Sequence, residues 1–178
     1  PLTHVRQQLD EVVAANTLDA ARASARTAQF RIDDMIRTFA AMLRLAEIEA
    51  GAAQARFVQV ELGALIERVA DAYRPDIESG GGSLVIDAPV QARIQGDPDL
   101  LAQALANLLD NAMAHGPAAA EIAVRLQVDG GAIRIAVEDR GPGVPAAERT
   151  RILEPFVRLD RSRNTAGAGL GLSIVSAV

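Results

Sequence analysis

Asn107 and Asn111 stand four residues apart in the run Asn107-Leu-Leu-Asp-Asn111, a spacing that puts both amides on one face of a helix. An amide oxygen is a neutral hard ligand suited to Mg²⁺, an ion that keeps waters and takes further oxygens from phosphates. Asp139-Arg-Gly141-Pro-Gly143 follows an apolar alternating run, so its carboxylate sits in a turn where it can accept a hydrogen bond from a nucleobase amine. Its glycines let backbone approach a flat ring closely. Glu154-Pro-Phe156 comes next, and then Gly167-Ala-Gly169-Leu-Gly171-Leu172, a glycine-rich entry to an apolar stretch. Such an entry presents free N–H groups to phosphates. Taken singly, paired asparagines more often bond backbone or solvent, Asp-x-Gly-x-Gly is more often a plain turn, and a glycine run is as often a linker. In this order and spacing the segments describe one nucleotide site.

Composition removes the competing chemistries. The 178 residues contain no cysteine, and all 18 basic residues are arginine, so thiolate metal sites, cysteine nucleophiles, lysine Schiff bases and the phosphate-loop lysine are excluded. His4 and His115 are the only histidines, too few and too far apart for a histidine-rich metal centre. A net charge of −5 disfavours a nucleic-acid partner. No apolar run is long enough to span a bilayer, so the chain is expected to be cytoplasmic, with membrane attachment only through segments outside it.

The elements that must carry these residues follow from periodicity. Leu2, Val5, Leu9 and Val12, then Ala25, Ala28, Ile32, Met35, Phe39, Met42 and Ala46, recur at heptad spacing on two helices, the second expected from about Ala20 to Ala50 with Gly51 as its cap. Joined by a short polar turn, they form a hairpin whose seams fit half of a four-helix bundle completed by a second copy. An ordinary pair packed on the following domain is the alternative. Beyond it the pattern is mixed α/β: a short strand Phe57–Val60, a helix Leu62–Ile77 disturbed at Pro75, strands at Leu84–Ile86 and near Ile94, and a helix from Asp97 to Ala114 with Pro98 at its first position. Ile122–Val128 and Ile133–Val137 alternate around Asp129-Gly-Gly131 as a β-hairpin. Val144 to Ala166, polar and free of glycine, reads as a cover over a ligand that Phe156 docks on the core.

The four segments resemble the N, G1, F and G2 boxes of sensor histidine kinases, within the ATP-binding fold they share with type II topoisomerases, mismatch-repair ATPases and a chaperone family. Arg44-Leu-Ala-Glu-Ile-Glu-Ala-Gly51 resembles the end of their dimerisation and phosphotransfer hairpin. The resemblance implies an α+β chain: a helical hairpin over residues 1–52, half of a dimeric four-helix bundle, followed over 53–178 by an α/β sandwich ATP-binding domain with a mixed sheet. It implies ATP and Mg²⁺ as cofactors, with Asn111 on the metal and Asn107 supporting that face and the phosphates. Asp139 would read adenine, with Gly141 and Gly143 shaping the base pocket. Gly167, Gly169, Leu170, Gly171 and Leu172 would border the triphosphate. His115 falls at an aromatic position of the N box, and Phe156, Arg158 and Arg163 fall on lid positions. Pro1-Leu2-Thr3 resembles the tail of the family's acceptor box, which puts the phosphorylated histidine upstream of Pro1 and no catalytic residue within the chain. The implied partners are a second copy of the chain and a response-regulator receiver domain. Hydrolytic relatives carry a glutamate where Asn107 stands, and an amide cannot serve as a general base, so transfer is favoured over hydrolysis. A hydrolytic ATPase clamp of the same fold and a non-enzymatic nucleotide-binding dimer module are the alternatives.

Overall fold

In a computed structural model, residues 6–7, 10, 12–13, 17–49, 56–88, 91–159 and 169–178 are described. Within the first expected helix, Arg6, Gln7, Asp10, Val12 and Val13 are helical; Gly51 lies outside the described residues. Helix α1 runs Leu18–Glu49. It starts two residues earlier than periodicity alone indicates, because the Thr17 hydroxyl accepts the Ala20 N–H at 3.2 Å and thereby caps the first turn. Ala28 is buried and α1 meets the C-terminal helix, whereas Ile36, Phe39 and Leu43 are 61%, 68% and 65% exposed. That apolar seam is not covered by the described residues of this chain.

The rest is built on strands with two long helices against them. Strand β1, Val58–Glu61, pairs antiparallel with β3, Arg93–Gly96; β2, Ser83–Asp87, runs parallel to β4, Glu121–Asp129, which pairs antiparallel with β5, Ala132–Glu138. The β4–β5 hairpin closes around Gly130 and Gly131, as the alternation indicates. Helices α2, Leu62–Ser79, and α3, Pro98–His115, share one core with the strands. Leu65, Ile66 and Val69 of α2, Leu105 and Leu109 of α3, and Ile122, Val124 and Leu126 of β4 are its buried centre. The fold is the expected α+β arrangement with a mixed sheet.

Two expectations need correction. Pro75 stands inside its helix, which runs on to Ser79 rather than ending near Ile77. Proline removes one backbone bond, to residue 71, and both Asp71 and Pro75 are exposed, so water can satisfy the carbonyl left over. The strand expected from Phe57 begins at Val58, with Phe57 46% exposed, because pairing with β3 sets the limit and Val58 opposes its last residue, Gly96.

Candidate nucleotide-binding site

Helix α3 carries the asparagines, and its sequence dictates which way they face. Asp97 is the N-cap, with Oδ1 accepting the N–H groups of Asp99 at 2.9 Å and Leu100 at 3.2 Å, and Pro98 opens the helix without a donor to lose. Leu105, Leu109 and Ala112 turn into the core. Asn107, Asn111 and His115, each one helical turn from the next, are therefore held on another side. Asn107 is half-buried and its Nδ2 donates to the carbonyl of Gly171 at 3.2 Å. The side chain of Asn111, also half-buried, makes no hydrogen bond to the described residues. His115 is exposed.

The turn after β5 docks on the far end of the same helix. Asp139 is exposed and its Oδ1 accepts the Gly141 N–H at 2.6 Å, which closes the turn. A Cβ on Gly141 would stand 2.7 Å from Asp139 Oδ1 and 2.9 Å from the His115 carbonyl oxygen. Glycine is needed here so that the turn can approach the end of α3, whereas the sequence suggested an approach to a ligand ring. Gly143, with φ 70°, follows at the exposed side of the turn. Gly141→Ala is expected to lower stability by about 1–3 kcal/mol through overpacking, read from the urea midpoint; an unchanged midpoint would mean that the turn does not press on the helix. Asp139 also borders a cavity of about 130 Å³, with Asp76, Ile77, Ala112, Met113 and Gly116 among its other walls. Neither Asn107 nor Asn111 lines it.

The glycine-rich segment meets α3 at the Asn107 end. Gly169 has φ 70°, and a Cβ there would lie 2.8 Å from the Val157 carbonyl oxygen. The segment after Val144 forms short 3-10 turns at Ala146–Glu148 and Arg151–Leu153 before reaching Phe156. Phe156 does not dock through its ring, which is 54% exposed. Its backbone makes the junction instead: with φ 65° it turns the N–H toward the Gly169 carbonyl at 2.9 Å. Arg158 is half-buried beside Gly169. Leu170 is buried, Gly171 begins the last helix, α4, Gly171–Ala177, and Leu172 is half-buried on it. Arg163 and Gly167 lie outside the described residues.

One α3 face is thus bracketed by Gly171 at Asn107 and by the Asp139–Gly141 turn at His115, with Asn111 between. Two turns of helix separate the brackets, about 12 Å along the axis.

A contact that periodicity did not disclose orients this helix. The Tyr73 hydroxyl of α2 donates to Asp110 Oδ1 at 2.9 Å, with the Ala106 carbonyl 3.4 Å away. Burial, then the neighbouring Asp110 charge and hydrogen bond, push the phenol well above its ordinary value of 10.0. The protonated form is the one the fold favours, so this contribution is whole below pH 10 and is lost at higher pH, once the unfolded phenol ionises. Tyr73→Phe is expected to cost about 1 kcal/mol at neutral pH and to flatten the alkaline loss of stability. Tyr73 is the sole tyrosine and there is no tryptophan, so the ultraviolet phenolate band reports it directly; ionisation at the ordinary value would contradict the assignment.

Comparison with known proteins bears on what such a face belongs to. Residues 96–178 match the family described as histidine kinase-, DNA gyrase B-, and HSP90-like ATPase. The solved structure of the mycobacterial sensor histidine kinase MprB is 30% identical, with 67% of this chain covering 76% of that one at a TM-score of 0.59. The chain belongs to the sensor histidine kinase family. Sensor-like histidine kinase SenX3 of Mycolicibacterium smegmatis is 37% identical over 121 residues, which are 67% of this chain and 32% of that protein. Full-length ShkA, solved in complex with AMPPNP, is 27% identical with a TM-score of 0.72, over 96% of this chain and 36% of that one. The chain therefore spans about a third of these full-length family members. The family match begins at Gly96, one residue before the cap of α3, and takes in the asparagine helix, the Asp139 turn and the glycine-rich segment. Among the described residues, no helix is long and apolar enough to cross a membrane.

Proposed function

We propose that this chain is the dimerising and ATP-binding core of a protein histidine kinase, with the helical part extending to residue 52 and the ATP-binding part from residue 53. The observation that carries the reading is the α3 face held between Gly171 and Gly141, with the amide of Asn111 left without a hydrogen bond to the described residues. Asn111 fits a hard divalent ion: it is half-buried, and its oxygen accepts no hydrogen bond from the described residues. Among the described residues no cluster of three His, Cys, Asp or Glu could hold a metal, so Mg²⁺ would be shared between Asn111 and the nucleotide phosphates. Bound there, it would supply neutralisation of the charge spread over the transferring phosphoryl oxygens.

Asp139 would accept the adenine amino group through the oxygen not used by Gly141, and the Gly141–Gly143 turn would lie against the base. The glycine-rich segment, with Gly167, Gly169 and Gly171, would border the triphosphate, aided by Arg158 and Arg163. In a chain with no lysine, these arginines would supply the cationic side chains. Asn107, already donating to Gly171, keeps that segment against α3 and offers no base to activate water. The γ-phosphoryl group would pass to a histidine upstream of Pro1 on the helical hairpin, and from there to an aspartate of a response-regulator receiver domain. Catalysis would rest on positioning and charge neutralisation. The uncovered Ile36, Phe39 and Leu43 seam of α1 supports a homodimer, and the work would be done in the cytoplasm.

A chain extended upstream through the acceptor box, incubated with labelled Mg-ATP, is expected to gain acid-labile phosphate that a receiver domain then removes. Steady phosphate release with no labelled protein would favour the hydrolytic clamp.

A further inference from the structure

We propose that Arg56 is a positioning residue that couples α1 to the first turn of the asparagine-bearing helix α3. Its guanidinium is shared between two parts of the chain: Nη2 donates to Glu47 Oε2 near the end of α1 at 3.2 Å, and Nε stands 3.3 Å from Asp97 Oδ2. The two attachments differ in kind. The Glu47 side chain is 48% exposed, so its pair is screened by water and readily exchanged. The Asp97 side chain is 1% exposed. Its Oδ1 is taken up by the two N–H groups it caps, its Oδ2 is buried with no hydrogen bond to the described residues, and among these the Arg56 guanidinium is the charge that faces it.

A buried carboxylate depends on its cation far more than an exposed one does. Movement of α1 that draws on the Glu47 end of the guanidinium therefore acts on the cap of α3. Ten residues beyond that cap lies Asn107, and one turn further Asn111. A helix moves as a rigid rod, so its first turn and its asparagine face shift together. The consequence for ATP rests on the reading of those asparagines given above; the mechanical coupling does not.

The test uses the absence of native cysteine. Gln29→Cys and Gln127→Cys, both at exposed positions, allow a nitroxide pair to report the distance between α1 and the sheet. Amide exchange at Asp99 and Leu100 reports the cap, because Asp97 Oδ1 is the acceptor for both. In Arg56→Gln, the distance distribution is expected to broaden and these two amides to exchange about tenfold faster. Arg56→Lys, which keeps the charge, is expected to restore their protection. Glu47→Gln is expected to broaden the distances while the amides stay protected. Unchanged exchange in Arg56→Gln, or an unbroadened distance distribution in Glu47→Gln, would overturn the coupling. Mg-ATP affinity measured on the same proteins keeps the two ideas apart: wild type that binds no nucleotide sinks the ATP reading, while the exchange data still decide the role of Arg56.

Discussion

Asn111→Ala is expected to weaken Mg-ATP binding by about 100-fold while leaving the fold intact. The side chain is half-buried and makes no hydrogen bond to the described residues, so deleting it uncovers no stranded donor and opens no large cavity. The change in stability should stay within about 0.5 kcal/mol. The effect on affinity should depend on the metal: titrations by calorimetry with and without Mg²⁺ would differ strongly for the wild type and little for the variant. Asn107→Ala makes the contrast, because it removes the bond to Gly171 and should loosen the glycine-rich segment whether or not metal is present. Full Mg-ATP affinity in Asn111→Ala would remove the metal from this helix face.

Leu109→Ala strikes the same helix from behind. Leu109 is fully buried in the core between Asn107 and Asn111, and truncating it removes buried methyl groups and leaves a cavity that packed neighbours fill only in part. The expected loss is about 3 kcal/mol, within a usual range of roughly 2–5. Small domains have only about 5–15 kcal/mol to lose, so this is a large fraction of the whole. A lower urea midpoint with an unchanged slope is the expected signature. Nucleotide affinity of the remaining folded protein should change much less than in Asn111→Ala, since no side chain on the asparagine face is removed. A loss below about 1 kcal/mol would mean that α3 is not anchored through this residue.

These two substitutions follow the two kinds of information in the chain. The direction of the asparagines could be read from local spacing, because the four-residue step of a helix and the apolar Leu105, Leu109 and Ala112 positions are set within one segment. Asp97 and Pro98 marked the start of that helix for the same reason, and Asp129-Gly130-Gly131 marked the hairpin. What Pro75 costs its helix depends on whether the freed carbonyl is buried or wet, which a one-dimensional pattern does not record. The first turn of α2 was also obscure. Its cap is Glu61, whose carboxylate accepts the N–H groups of Gly63 and Ala64, although glutamate is not among the preferred capping residues.

At the site itself, residue types were legible and junctions were not. Phe156 suggested an aromatic anchor, yet the segment is fastened through its backbone to Gly169, and nothing in a side-chain pattern reports a carbonyl. Tyr73 and Asp110, separated by 37 positions, and Arg56 with Asp97 are polar pairs whose members lie on different elements. Such pairs arise only once helices have packed at a given distance and rotation.

By itself, then, the sequence determined the chemistry available: two amides one helical turn apart, no glutamate at position 107, no lysine or cysteine, a turn carboxylate and a glycine-rich run, on helices and strands recognisable by period. Tertiary structure alone decided that Asn107 would meet Gly171 across 64 residues, that the His115 carbonyl would require glycine at 141, and that an arginine outside every motif would face the cap of the asparagine helix. Local propensity acts over a few bonds, whereas those contacts are selected by burial of the shared core, which fixes where distant polar groups come to rest.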